Sequence, residues 1–449
     1  MEIKRKYGFI FALTLVGVLV SQPVFAEVTF KWGPYMRIRH EYWKNWKSVN
    51  GDVKENRNFF RIKTSLWGQA DIDKNFGLYA KLTNENKAYA YFPQGSGKKG
   101  FHYQINEVVF DNLFVDLKNI GDMPLDVRAG RQDLMGLYGE GFLFSDGTPQ
   151  DGSRTTYFDA IKTSYRINKK SSFDFLAIDD HKTDDVLPII NRLRPEQAMN
   201  LSDELGFAAI YKNDEIKNLH MEPFYVFKEE EDVSPSTIFN NGITRLHTVG
   251  GYAKYAIDST TTLKGQLAFQ TGETGTKDRE GVGGYTYLTK TFKQLMYTPT
   301  VNMGYMYLSG DNKKTDKIEA WDPLFSRWPI LSDFYSELLY LSMSNAKEGG
   351  AIGYWQNLQS YKLGFIIVPT KKTKLSLAYY YLRANNTVPA DTTTFGTGKD
   401  RGMLYTAKLD YAFNKNISAY VMGEFFHPGN FYVDRSDALF LRSQLELKY

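Results

Sequence analysis

The most constraining feature of this sequence is an alternation of apolar and polar residues that runs from Tyr35 to the last residue. It comes in segments of roughly ten residues, the length of a strand that crosses a bilayer, separated by turns or loops. Side chains alternate across a strand, so each segment predicts one apolar and one polar face. The last segment places Leu439, Leu441, Leu445, Leu447 and Tyr449 on one face and Arg442, Gln444, Glu446 and Lys448 on the other.

Residues 1–26 have the organisation of a secretory signal peptide. Three positive residues at positions 4–6 precede an uncharged apolar run over 7–20, and a cleavage point follows before Glu27. A single membrane-anchor helix is the alternative, but the apolar run is short for a bilayer span. We therefore predict a signal peptide and one mature domain over 27–449.

An exported chain with such segments is expected to place its apolar faces in lipid. Backbone amides in a bilayer need hydrogen-bond partners, and a sheet supplies them all only by closing into a barrel. The 31 tyrosines and 31 phenylalanines agree with aromatic girdles at both bilayer interfaces. We predict an all-β, transmembrane antiparallel β-barrel in the outer membrane, surrounded by lipid and lipopolysaccharide. Its insertion would need the barrel-assembly machinery, and nothing in the sequence points to nucleic acid.

Gap lengths between the segments predict the number of strands. Periplasmic turns are short and extracellular loops are long in such barrels, so the two kinds should alternate. Short gaps fall near 73–75, 118–124, 168–171, 213–217, 258–260, 293–298, 369–373 and 414–416. Long gaps fall near 44–57, 86–104, 134–155, 181–203, 230–243, 273–280, 310–357, 385–401 and 428–437. Eight short and nine long gaps make 17 connections and therefore predict 18 strands, an even number that returns both termini to the periplasm. Residues 334–345 resemble a strand, but we assign them to the longest loop because an odd total would break this parity.

The polar faces carry dense positive charge in the N-terminal third of the chain. The predicted pore-lining residues are Arg37, Arg39, Glu41, Arg61, Lys63, Lys81, Glu85, Arg128, Arg131, Arg154, Asp159 and Lys162. Later strands add Lys264, Gln266, Lys362, Lys408, Asp410 and Glu424 to the inward faces. One interpretation is that cross-strand ion pairs rigidify the barrel wall that faces a water-filled lumen. The other is a basic ladder that replaces the hydration shell of a passing anion, a role that suits bidentate guanidinium groups.

Two irregular segments lead to local predictions. Between Glu107 and Asp116 neither alternation is regular, and Asp111 faces lipid in one register. A β-bulge near Asn112 would shift the phase and remove this conflict. The glycine-rich loop from Met135 to Thr155 is expected to fold toward the pore and narrow it, because ordered loops of this length are often functional.

Several motifs resemble the alginate-export family of outer-membrane porins. They are Arg37–Trp43, Arg128–Gln132, Tyr138-Gly-Glu-Gly141, Asp146–Arg154, Tyr157–Lys162 and the acidic-aromatic Trp321–Trp328. The resemblance implies an 18-stranded barrel that exports a polyuronate through an arginine-rich constriction. Carboxylates such as Glu41 and Glu85 dilute the basic set, so the identity of the substrate stays open.

Catalytic and metal chemistry has little support in the sequence. There is no cysteine, and the six histidines show no HExxH spacing. Asp146 and Asp151 flank glycines and could hold calcium, although Asp-Gly is a common turn signal. We predict no enzyme and no cofactor, but a channel that passes anionic or polar saccharides by passive diffusion. The alternatives are a general or nutrient-specific porin for small polar solutes, and an adhesin or structural barrel that functions through its long loops.

Overall fold

The chain forms one closed antiparallel β-barrel of 18 strands. The computed structural model describes residues 28–46, 48–53, 56–91, 101–134, 136–145, 153–154, 158–192, 202–231, 242–312, 314–326, 331–336, 356–387 and 395–449. The first and last barrel strands pair with each other, for example Tyr35 with Lys448, and this pairing closes the cylinder. The predicted fold class and strand number are confirmed.

The barrel strands are numbered along the chain. They are β1 (Thr29–Lys44), β2 (Arg57–Asp71), β3 (Phe76–Tyr91), β4 (Val108–Leu117), β5 (Leu125–Gln132), β6 (Phe158–Arg166), β7 (Ser171–Asp180), β8 (Glu204–Asn213), β9 (Leu219–Glu230), β10 (Thr244–Ala256), β11 (Thr261–Thr274), β12 (Lys277–Thr291), β13 (Thr300–Leu308), β14 (Leu358–Thr370), β15 (Thr373–Arg383), β16 (Asp400–Ala412), β17 (Ile417–Pro428) and β18 (Ala438–Lys448). In the described ranges, three short strands lie outside this set: His102–Gln104, Phe144–Ser145 and Phe325–Ser326. In the part of the chain that the structure describes, no helix is long and apolar enough to cross a membrane.

Connections between strands follow the predicted alternation of short and long gaps with one exception. Every predicted short gap joins two consecutive strands at the same end of the barrel, called here the short-turn end. The predicted long gap at 273–280 is wrong, because β11 and β12 are joined by Gly275 and Thr276 alone. Near this turn both faces of the two strands carry polar residues: Glu273, Asp278 and Glu280 are exposed, and Thr274 and Arg279 are buried. Hydropathic alternation is then lost although the strand persists.

Alternation within the strands agrees with the exposure of their side chains. On β1, Met36 is exposed while Arg37 and Glu41 are buried inside the barrel. The predicted bulge is present one residue from the expected place. The β3–β4 register passes from Lys81–Asn112 to Leu82–Phe110, so the extra residue is Asp111. Its carboxylate turns inward and lies 2.7 Å from Lys81 Nζ.

Among the described residues, segments of two long connections pair with each other inside the barrel. One is the segment 136–145 after β5, and the other lies between β13 and β14, where residues 320–326 and 331–336 are described. They meet in a two-residue parallel pairing of Phe144–Ser145 with Phe325–Ser326. Their aromatic side chains form an apolar core inside the barrel with residues of the wall. Residues 333–336 are helical rather than extended, and 337–345 of the ambiguous segment lie outside the described residues.

Candidate pore and substrate cavity

A cavity of about 920 Å³ lies between the inward loops and the strands around the β1–β18 closure and β11 to β17. Among the described residues, seven cationic side chains line it: Arg37, Arg39, Lys63, Lys264, Lys362, Lys408 and Arg442. Three carboxylates accompany them: Glu140, Asp333 and Glu424. The lining therefore carries an excess of positive charge. It combines side chains from distant parts of the sequence, which only barrel closure brings together.

One wall of the cavity holds a buried ionic network that spans β1, β2, β3 and β18. Glu85, which is 0% exposed, accepts hydrogen bonds from Arg37 and from Arg61, whose Nε lies 2.7 Å from its Oε1. Glu41 accepts from Arg442 Nε at 2.9 Å, and Arg39 Nη1 lies 3.5 Å from the same Glu41 oxygen. Four arginines thus surround two carboxylates. Because buried charges must be paired, the carboxylates hold the arginines in fixed positions and leave a positive excess.

A second wall of the cavity combines lysines with tyrosines. Lys264 Nζ and Lys362 Nζ lie 5.6 and 5.3 Å from the ring centroid of Tyr287, and Lys362 is also 5.4 Å from that of Tyr380. These distances fit cation–π contacts. The sequence predicted the inward lysines but missed the tyrosines. Their signal was the alternation of Tyr285, Tyr287 and Thr289 along β12.

The described part of the Met135–Thr155 loop lies inside the barrel. Tyr138 Oη donates to Asp174 Oδ2 on β7 at 3.0 Å, and Gly139 N donates to Glu222 Oε2 on β9 at 2.8 Å. Burial, together with the Asp174 carboxylate, raises the pKa of Tyr138, so its hydroxyl stays protonated as a donor. Lys264 Nζ on β11 donates to both oxygens of Glu140. The segment is therefore anchored to three inward strand faces in succession.

A second cavity of about 570 Å³ lies at the short-turn end and is lined by residues of β2 to β6. Arg128 and Lys162 line it, and Arg128 binds Asp116 through Nε at 2.7 Å and Nη2 at 2.9 Å. The Arg128 guanidinium lies 4.0 Å above the Phe114 ring. Charges of both signs alternate here, so this part of the lumen is less basic than the large cavity.

Arg131, Arg154 and Asp159 form a separate ionic cluster. Arg131 binds Asp159 bidentately at 2.9 and 2.8 Å and reaches Asp184 Oδ1 at 3.0 Å. Arg154 contacts Asp184 at 2.8 Å and Glu107 at 2.9 Å. None of the five side chains is among the lining residues of the two cavities described above. The cluster fastens the connection after β7 to the segments that precede β4 and β6.

The calcium candidates Asp146 and Asp151 lie outside the described residues. Across the described ranges, no group of three or more His, Asp or Glu side chains is arranged to hold a metal ion.

Comparison with known proteins gives one family and a set of similar structures. A family model described as "Alginate export" matches residues 31–443. A comparison with curated proteins found no match.

Among solved structures, OccK7 (OpdD) of Pseudomonas aeruginosa superposes with a TM-score of 0.56 at 11% identity, covering 94% of this chain and 98% of that one. A BenF-like porin from Pseudomonas fluorescens Pf-5 gives 0.55 at 11% identity, covering 95% and 100%. OprD of Pseudomonas aeruginosa gives 0.52 at 8% identity, covering 96% and 97%. At these identities the likeness concerns the fold.

Proposed function

Because the chain belongs to the alginate export family, we propose that it is an outer-membrane channel for anionic saccharides of the polyuronate type. The solute would pass by diffusion through the basic cavity between the inward loops and the wall. Family and barrel fold support the coarser statement, an outer-membrane channel for small polar solutes. We assign no catalytic role, since this family and this fold are those of channels.

The observation that carries the narrower proposal is the charge of the large cavity. Seven cationic side chains face three carboxylates there. An anion entering a narrow channel loses hydration water, and fixed cations compensate for that loss. Arginine suits this role because its guanidinium is weakly hydrated and binds a carboxylate through two nitrogens. A chain of sugar acids carries one carboxylate per ring and would meet such groups repeatedly.

A porin for small polar solutes of broader specificity is the second candidate. Glu85 and Glu41 neutralise part of the charge of Arg37, Arg39, Arg61 and Arg442. A lumen with this partial compensation would also pass neutral or zwitterionic solutes. The two candidates differ in the ion selectivity that they require.

Single-channel recording in planar bilayers with a salt gradient tests the proposal. The wild-type channel should prefer anions and be blocked by a monomeric uronate more strongly than by glucose. The double variant Lys63→Gln/Lys362→Gln removes two cavity cations and should lower the anion preference. Lys372→Gln/Lys415→Gln is the matched control, because both lysines lie in exposed turns at the short-turn end. A cation-selective wild type without uronate block would leave the broader porin as the better answer.

Export through the inner membrane requires the proposed signal peptide. We propose cleavage before Glu27, supported by the charged and apolar organisation of residues 1–26. N-terminal sequencing of the protein from an outer-membrane fraction should begin at Glu27. Insertion would then depend on the barrel-assembly machinery, with lipid and lipopolysaccharide as neighbours.

A further inference from the structure

Glu140 stands at the tip of the inward loop and reaches across the lumen to a lysine of the wall. Both of its carboxylate oxygens lie close to Lys264 Nζ, at 2.6 and 2.7 Å. The side chains of Lys264 and Glu140 are 24% and 44% exposed, so solvent in the cavity reaches both partners. The loop therefore places a carboxylate of the protein where a dissolved anion would meet the same ammonium group.

The backbone at this tip is unusual. Gly139, Glu140 and Gly141 have φ angles of 55°, 72° and 80°, all in the left-handed region. Glycine adopts this region freely, but a glutamate there is uncommon because its Cβ is crowded. The neighbouring anchor from Gly139 N to Glu222 holds the turn against β9. Glu140 thus occupies a conformation that its contact with Lys264 helps to maintain.

The surroundings of Glu140 contain more positive than negative charge. Lys264 Nζ and Lys362 Nζ both lie near the Tyr287 ring, at 5.6 and 5.3 Å from its centroid. Among the described residues, no carboxylate forms an ion pair with Lys362, and Glu140 is the carboxylate partner of Lys264. All of these side chains line the large cavity. Two ammonium groups near one carboxylate leave a net positive charge that another anion can neutralise.

We propose that Lys264, Lys362 and Tyr287 form a binding site for the carboxylate of a sugar acid, in which Glu140 is the resident substitute when substrate is absent. An incoming uronate carboxylate takes the place of Glu140 on Lys264, and the loop tip loses one of its anchors. The exchange costs little free energy, because an ion pair with access to water contributes little to stability. This proposal rests on the function proposed above, since it requires an anionic saccharide as the solute.

Uronate block of single channels tests the site. Glu140→Gln keeps the shape of the side chain but removes the competing charge, so block by a monomeric uronate should tighten roughly two- to five-fold, the range that one exposed ion pair allows. Block by glucose should not change. The matched control is Glu446→Gln, which removes a carboxylate of β18 that contacts Lys448 rather than Lys264. Lys264→Gln should weaken uronate block, and adding Glu140→Gln to it should have no further effect.

The outcomes separate this site from the function on which it rests. Equal uronate block in wild type and Glu140→Gln, or equal tightening in Glu140→Gln and Glu446→Gln, would overturn the resident-carboxylate proposal while leaving the anion channel intact. If uronate blocks neither the wild-type channel nor any of the variants, the proposed function itself is wrong. Heat-modifiable migration in gels identifies the variants that fold, and the Lys264→Gln background supplies a second, independent comparison.

Discussion

At the scale of single residues, burial decides what each inward arginine can do. Arg61 is 1% exposed and lies between Glu85 and Glu41, whereas the side chain of Arg128 is 37% exposed beside Asp116. The sequence predicted both as inward-facing residues, and it left open for both whether they form cross-strand ion pairs or a basic ladder. Alternation indicates which face of the strand a residue occupies, but it does not indicate how many carboxylates contact that residue or how deeply they bury it. The pairing of Arg61 depends on β1 and β3, which the local sequence of β2 does not specify.

This difference predicts unequal effects on stability. Arg61→Gln leaves the buried Glu85 with one partner fewer, and removing one member of a buried pair typically costs about 3 to 5 kcal/mol. Arg128→Gln is the control, because a partly exposed ion pair contributes about 1 kcal/mol or less. The temperature at which the folded gel band converts to the unfolded band should fall clearly for Arg61→Gln and little for Arg128→Gln. Equal temperatures would show that the Glu85 network does not stabilise the barrel.

At the scale of elements, the strands were predictable and the inward loops only partly so. Each strand crosses the hydrocarbon core of the bilayer. Its outward-facing residues, such as Leu439 and Leu441, are therefore apolar, and the alternation can be read from the local sequence. The bulge at Asp111 was visible for the same reason, as a break in that local pattern. The inward position of residues 320–326 and 331–336 was not visible in the sequence. It depends on long-range contacts such as that of Trp321 with Gly283, where any side chain would collide with the Trp321 ring. Such contacts are set by the closed barrel and leave no period in the sequence.

The inward loop itself predicts a change in conductance. Its described part is anchored to Asp174, Glu222 and Lys264, and it places Phe142 against Tyr285 inside the lumen. Deleting residues 139–152 removes this obstruction, so single-channel conductance should rise. Deleting the exposed residues 314–316 of another long connection should leave it unchanged. A folded channel that keeps its conductance after the first deletion would show that the loop does not limit ion flow.

At the scale of the molecule, barrel closure produces a property that no single strand has. β1 and β18 contribute Arg37, Arg39 and Arg442, while β11 and β14 contribute Lys264 and Lys362 from the other wall. The fold alone does not distinguish a basic pore from a neutral one, since similar barrels superpose at 8 to 11% identity. Selectivity therefore depends on which charges the closure gathers around one cavity. The sequence indicated their sign but not their grouping around one cavity.

Salt dependence of ion selectivity tests this grouping, because a field shared by several charges is screened more easily than a direct contact. The Debye length is about 10 Å at 0.1 M salt and about 3 Å at 1 M. Seven cations and three carboxylates around a cavity of about 920 Å³ should therefore favour anions strongly in dilute salt and weakly in concentrated salt. Reversal potentials measured at a fixed KCl ratio across this range should fall toward the value for free ions in solution. The anion preference of the Lys63→Gln/Lys362→Gln variant should be lower in dilute salt and should change less with salt concentration, because fewer charges remain to be screened. An anion preference that stays constant from 0.1 M to 1 M would mean that single desolvated contacts, rather than the combined field of the two walls, select the ion.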